Sequence, residues 1–192
     1  MCKASFPLVG AAICFVAGCS DAGSLDASEE TSADSGNYDP VFVQAFVSTC
    51  VRDFRNTDRV AAAAEEMDWV QVTDPGIRRM IGPENGNDDW RGWAFEHEQK
   101  RFMLILTNPL GEDAPERVCT LIGDTDDLEA TVKYIVDLVE ARPVFDEADA
   151  GQTTRMFEYE RGGEELLLSF LDAQEMNMPT LNASVLSKPR GN

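Results

Sequence analysis

The spacing of apolar positions between residues 40 and 188 changes several times, and each change marks an element. Asp39-Pro40 offers a helix N-cap followed by proline at the first helical position. Val41, Ala45, Phe46, Thr49, Cys50 and Phe54 then recur at three- and four-residue intervals, which predicts a first helix over Pro40–Phe54. Asn56 to Asp58 reads as a turn carrying a second cap, and the alanine-rich VAAAAEEM, 60–67, as a short helix. Residues 69–72 then enter the sheet. Asp74-Pro75-Gly76, Gly82-Pro83 and Asn85-Gly86 make 73–89 irregular, with room for one helical turn over 77–81.

From Trp90 the period falls to two. WRGWAFEH and RFMLILTN form a hairpin closed around Glu98 to Lys100, and RVCTLIG supplies a third strand that contains Cys119. Asp124 or Thr125 then caps a helix in which Leu128, Val132, Ile135, Leu138 and Val139 form one stripe, ending before Pro143. TRMFEYE, a Gly162-Gly163 turn and EELLLSFLD predict a second hairpin, and TLNASVLS a last strand. The sum is an α+β domain over 40–188. Its mainly antiparallel sheet has about five to seven strands, with two or three helices on one face.

The charge changes what such a domain can bind. The chain carries 35 acidic and 16 basic side chains, a net charge of −19. A surface of that sign repels nucleic acid and leaves few cations for phosphate contacts by counterion release, so nucleic-acid binding is excluded. The electrostatic options that remain are a cationic partner, divalent counter-ions or, most simply, solubility and mutual repulsion in a concentrated compartment.

The first 39 residues do not belong to the domain pattern. Lys3, the apolar run from Phe6 to Ala17 and the small residues after it have the layout of an export signal. The run falls short of the roughly 20 residues that span a bilayer. Val16-Ala17-Gly18-Cys19 resembles the lipobox of bacterial lipoproteins. That resemblance implies cleavage after residue 18, lipid on Cys19, and attachment of the mature chain to the bacterial envelope through the anchor. Ser20, rather than aspartate, follows the cysteine, which implies the periplasmic face of the outer membrane more than the inner membrane. The alternative is an ordinary cleaved signal that leaves Cys19 a free thiol. Residues 20–39 hold six acids and no base, too little apolar surface to offset ordering entropy, and read as an acidic tether spanning roughly 25 Å. Beyond the lipobox, the domain is loosely similar to small secreted bacterial proteins with one helix cysteine and one strand cysteine, a likeness that implies no function.

With Cys2 and Cys14 in the signal and Cys19 lipidated, Cys50 and Cys119 are left in the domain. In an exported protein this pair is most simply a disulfide; the alternative is two buried thiols. No Cys-x-x-Cys is present to suggest redox chemistry.

Catalytic chemistry finds no support in the motifs. His97, the single histidine, sits in Glu96-His97-Glu98, where strand alternation would set both glutamates on the other face and build no metal site. No Gly-x-Ser-x-Gly is present. Asp124-Thr125-Asp126-Asp127 lacks the glycine and final glutamate of a calcium loop and reads as helix capping, while 84–89 is oxygen-rich enough for adventitious calcium. No metal or cofactor is expected. Trp90 and Trp93 differ by an odd number and so face opposite sides of their strand. With Arg91 they form a candidate partner patch next to 74–89, for an envelope protein or a cationic partner. These readings favour a lipid-anchored, non-enzymatic binding or structural domain. The alternative is a small-ligand carrier or hydrolase whose site is assembled from distant residues.

Overall fold

A computed structural model describes residues 37–81, 90–108, 115, 117–173 and 178–188. Cys19, the signal, the tether up to residue 36 and the oxygen-rich 84–89 stretch lie outside the described residues.

Helix α1 (Pro40–Phe46) starts as the sequence requires. The Asp39 carboxylate turns back to accept the Val41 and Phe42 N–H groups at 3.0 Å each, beside proline at the first position. The expected continuous helix to Phe54 instead widens into a π-helical turn over Val47–Val51. The Thr49 and Ser48 hydroxyls both donate to the Ala45 carbonyl, at 2.6 and 3.3 Å, and compete there with the α-helical ladder. Helix α2 (Thr57–Glu66) is capped by Asn56, and α3 (Pro75–Ile81) follows the short strand β1 (Val70–Gln71).

Seven longer strands follow: β2 (Trp90–His97), β3 (Lys100–Thr107), β4 (Val118–Asp124), β5 (Arg142–Asp149), β6 (Gln152–Arg161), β7 (Glu164–Ala173) and β8 (Met178–Ser187). Helix α4 (Leu128–Leu138) lies between β4 and β5. All strands belong to one antiparallel sheet in the order β1-β2-β3-β4-β8-β7-β6-β5. The α+β class and antiparallel sheet therefore stand, with eight strands and four α-helices among the described residues in place of the expected five to seven and two or three. The two meanders, β2-β3-β4 and β5 to β8, meet at the β4–β8 seam, where Thr120 Oγ1 and Ser184 Oγ are 2.8 Å apart.

The hairpins close on two-residue turns whose residues all have positive φ: Glu98-Gln99, Ala150-Gly151 and Gly162-Gly163. That handedness matches the twist of the flanking strands. β5 was not expected because all eight of its residues are exposed, so burial imposes no alternation on it. As an edge it carries Pro143, three acids and a register shift between Pro143 and Phe145, devices that discourage further pairing.

One sheet face supplies the main core. Trp93, Phe102, Leu104, Leu121, Leu168 and Leu181 meet Phe42, Phe46, Val60 and Ile135 from α1, α2 and α4. Gly123 opposes Phe102 across the ladder, and a Cβ there would overlap the Phe102 ring. The expectation that every helix lies on this face needs one correction. On the opposite face Trp90 and Ile105 join Val72 in a small cluster, and α3 sends the Arg78 guanidinium over the Trp90 ring, 4.3 Å from its centroid.

Two polar clamps fix α4. Its cap is Asp127, which accepts the Ala130 N–H at 2.9 Å, and not Asp124 or Thr125. Asp124 instead accepts from Thr180, and Asp126 pairs with Lys100. At the far side Arg155 reaches Glu129 of α4 at 2.7 Å and Asp172 of β7 at 3.3 Å. Cys50, in the π turn, faces Cys119, in central strand β4. Both are fully buried, their Cα atoms are 5.3 Å apart, and the sulfurs lie at disulfide bonding distance.

Candidate functional site

A cleft lies where α1 and the π turn, the end of α2 and the end of β2 converge, and it begins with a helix stop. Helix α2 ends in a Schellman arrangement: the Asp68 N–H donates to the Glu65 carbonyl at 3.1 Å and the Trp69 N–H to the Ala64 carbonyl at 2.9 Å. Asp68 holds the left-handed conformation (φ 56°) that glycine usually takes at this position. The stop turns the chain sharply and delivers the Trp69 ring onto Phe95, at 4.1 Å and nearly parallel. Phe95 in turn stacks on Phe102 at 4.7 Å. A column of three rings therefore runs from the core to the surface.

Around Trp69 opens a cleft of about 480 Å³. Val41, Gln44, Ala45 and Ser48 form one wall, Met67 to Val70 a second, and Ala94 to His97 a third. Met67 and Val70 are apolar yet 46% and 70% exposed, so the lip of the cleft is greasy where solvent meets it. Its charged lining residues are Asp68 and Glu96, with His97 beside them. The rim is thus acidic, and an aromatic platform beside carboxylates is the chemistry that holds a cation carried on an apolar stem.

His97 is placed differently from the strand alternation reading. Its Nε2 lies 4.0 Å from Glu98 Oε1, because Glu98 has left the strand for the left-handed turn. Glu96 lines the same cleft, where β1 pairs with β2 only at Trp93 and Ala94 and leaves one edge of the 95–97 strand end uncovered while β3 pairs the other. Ser48 spends its hydroxyl on Ala45, and among the described residues no hydrogen bond joins it to His97. Among the described residues no group of three potential metal ligands comes together.

The patch suggested by sequence is dispersed. Trp93 is 1% and Trp90 6% exposed, on opposite faces as their odd spacing requires, and Arg91 alone of the three reaches solvent, 3.4 Å from Asp58. Trp69 was read only as an entry into the sheet. Its cleft joins residues 41 to 97 and has no linear motif. The one local signal was the Met67-Asp68-Trp69-Val70 junction, where two large apolar side chains flank a helix-stop acid.

Outside the cleft, ionic groups hold the domain's ends. Burial alone would lower the Lys100 ammonium, but its hydrogen bonds and charge contacts with Asp126 and Asp39 outweigh that and hold it above the ordinary lysine value. The hydrogen bond from Lys188 lowers the Glu158 carboxyl, and Glu158 with Glu165 raises Lys188 in return. Burial pushes the Tyr159 phenol well up.

Among the described residues no helix is long and apolar enough to cross a membrane. No family model, no curated protein and no solved structure matches the chain.

Proposed function

We propose that this chain is a lipid-anchored bacterial envelope protein whose acidic domain binds a cationic partner through the Trp69 cleft. The observation that carries the binding half is the juxtaposition of an aromatic column, two exposed apolar lip residues and the Asp68 and Glu96 carboxylates around one cavity. The anchor half rests on the lipobox-like Val16-Ala17-Gly18-Cys19, and the membrane attached is the outer one, on its periplasmic face. An oxidised Cys50–Cys119 bridge suits that compartment. The partner is an envelope protein that presents lysine or arginine, and the role is binding rather than catalysis.

A calorimetric titration of the full chain with a short lysine- and arginine-rich peptide tests the binding half. Trp69→Ala and Glu96→Gln should each weaken it roughly tenfold or more, about 1.4 kcal/mol, and added salt should weaken it further. Binding indifferent to both substitutions would remove the cleft from the account. Mass spectrometry of the native protein tests the anchor: the chain should begin at acylated Cys19, and an unmodified N-terminus elsewhere would refute it.

A cleft of about 480 Å³ is also within the range of small-molecule sites. That size supports a small-ligand carrier as the second reading, in which an uncharged aromatic ligand would compete with the peptide.

A further inference from the structure

The chain's scarce cations are not spread evenly. Arg52, Arg55, Arg59 and Arg161 line one cavity of about 260 Å³, and the only carboxylate in its wall is Asp53. Three elements bring them together. The end of the helix that contains the π turn supplies Arg52 and Arg55, the first turn of α2 supplies Arg59, and the β6–β7 hairpin supplies Arg161 beside Gly162.

The guanidinium groups are held in place and only half neutralised. Buried Asp53 accepts from Arg52 Nε and Nη2, at 3.2 and 3.1 Å, and stands 3.6 Å from Arg59 Nη1. Arg55 is fixed by Glu164 at 2.8 Å and the Gly162 carbonyl at 3.4 Å. Arg117 braces the backbone behind them through the Arg55 carbonyl at 2.7 Å. Among the described residues no carboxylate pairs with Arg161. After Asp53 and Glu164 are set against the four arginines, two positive charges remain at the cavity. Each guanidinium has five donors, and these pairings use few of them.

We infer that this cavity is a binding site for a phosphate monoester dianion. Two uncompensated charges match a dianion, and donors arriving from three elements suit a tetrahedral group with three peripheral oxygens better than a planar carboxylate, which takes one bidentate fork. Val51, Phe54 and Leu166, all buried, form the apolar floor beneath the guanidinium groups. The site is separate from the Trp69 cleft and does not depend on the anchor. Its phosphate can belong to a soluble ester or to a lipid headgroup.

The test is a calorimetric titration of the full chain with glycerol 3-phosphate at fixed ionic strength in chloride. It is paired with sedimentation on phosphatidylcholine vesicles with and without phosphatidic acid. Binding with Kd at or below about 1 mM, weakened about tenfold or more in Arg161→Gln and in Arg59→Gln, is expected. Arg161→Gln breaks no ion pair among the described residues, so an unchanged melting temperature separates lost binding from lost fold. Recruitment by phosphatidic acid that glycerol 3-phosphate reverses assigns the lipid source, and binding of the soluble ester alone assigns the other. No binding of either, binding undiminished from wild type in both variants, or equally tight binding of malonate would overturn the proposal.

Discussion

Lys100 Nζ lies 2.6 Å from Asp39 Oδ2, across 61 residues of sequence, and 2.6 Å from Asp126 Oδ2. These contacts tie the N-cap of α1 to the β2–β3 turn and to the start of α4. Asp39 is 2% exposed and also caps α1, while its own N–H donates to Thr131 Oγ1 at 3.0 Å. Asp39→Ala removes the α1 cap and the buried one of the ammonium's two carboxylate partners, and should cost about 3 kcal/mol. Lys100→Ala should cost about 2 kcal/mol, less because the buried Asp39 carboxylate it leaves still accepts the Val41 and Phe42 N–H groups. Urea denaturation measures both, and losses below about 0.5 kcal/mol would mean that the pair is only a surface contact.

The same pair sets the alkaline limit. The Lys100 value is raised in the folded chain, so its contribution is complete below the ordinary lysine value and is lost as pH rises through the raised one. Tyr159, raised by burial, acts in the same direction above about pH 10. Melting curves should therefore fall steeply in strong alkali, and less steeply in Lys100→Met, whose stability is already lower at neutral pH. Among the described residues the buried Tyr159 hydroxyl has no hydrogen-bond partner. Tyr159→Phe should therefore be neutral or stabilising at pH 7.

At acid pH the relevant group is Glu158, lowered by its bond to Lys188. Its contribution is present above the ordinary glutamate value and disappears as pH falls through the lowered one. Lys188→Ala should lower the melting temperature slightly at pH 7 and not at all near pH 2. An equal difference at both would remove this ion pair as the cause.

Joining Cys50 to Cys119 closes 69 residues of separation. On the chain-entropy account, replacing both cysteines with alanine should destabilise the domain by about 4 kcal/mol. Denaturation with and without reductant should show the same loss in wild type and none in the double variant.

Asp68 separates stability from binding. Its left-handed conformation favours glycine, so Asp68→Gly should stabilise by about 0.5–1 kcal/mol while weakening a cationic ligand at the cleft. A variant that is both more stable and less able to bind supports the assignment. Unchanged affinity for the peptide would show that this carboxylate takes no part.

Sequence pattern conveyed the elements that have one wet face. The Asp39-Pro40 cap, both expected hairpins, the β4 strand and the opposite facing of Trp90 and Trp93 all follow from period and turn chemistry. β5 was illegible because an edge strand with no buried residue needs no alternation. The π turn was hidden because Ser48 and Thr49 look helical by spacing, and their hydroxyls act only through the bond each makes to Ala45. Neither cavity has a contiguous motif. The i, i+3, i+7 arrangement of Arg52, Arg55 and Arg59 was visible, but only the fold adds Arg161 from over 100 residues away.

The claim that the Trp69 cleft is where the domain meets its partner is tested most directly by photo-cross-linking in the native envelope. One photoreactive residue is placed at Val70, on the cleft lip, and in a second chain at Phe145, on the exposed edge strand β5. An adduct is expected from Val70 that maps to a lysine- or arginine-bearing segment of an envelope protein and is lost in Trp69→Ala, with none from Phe145. Adducts from Phe145 but not from Val70, or a Val70 adduct that survives Trp69→Ala, would contradict it.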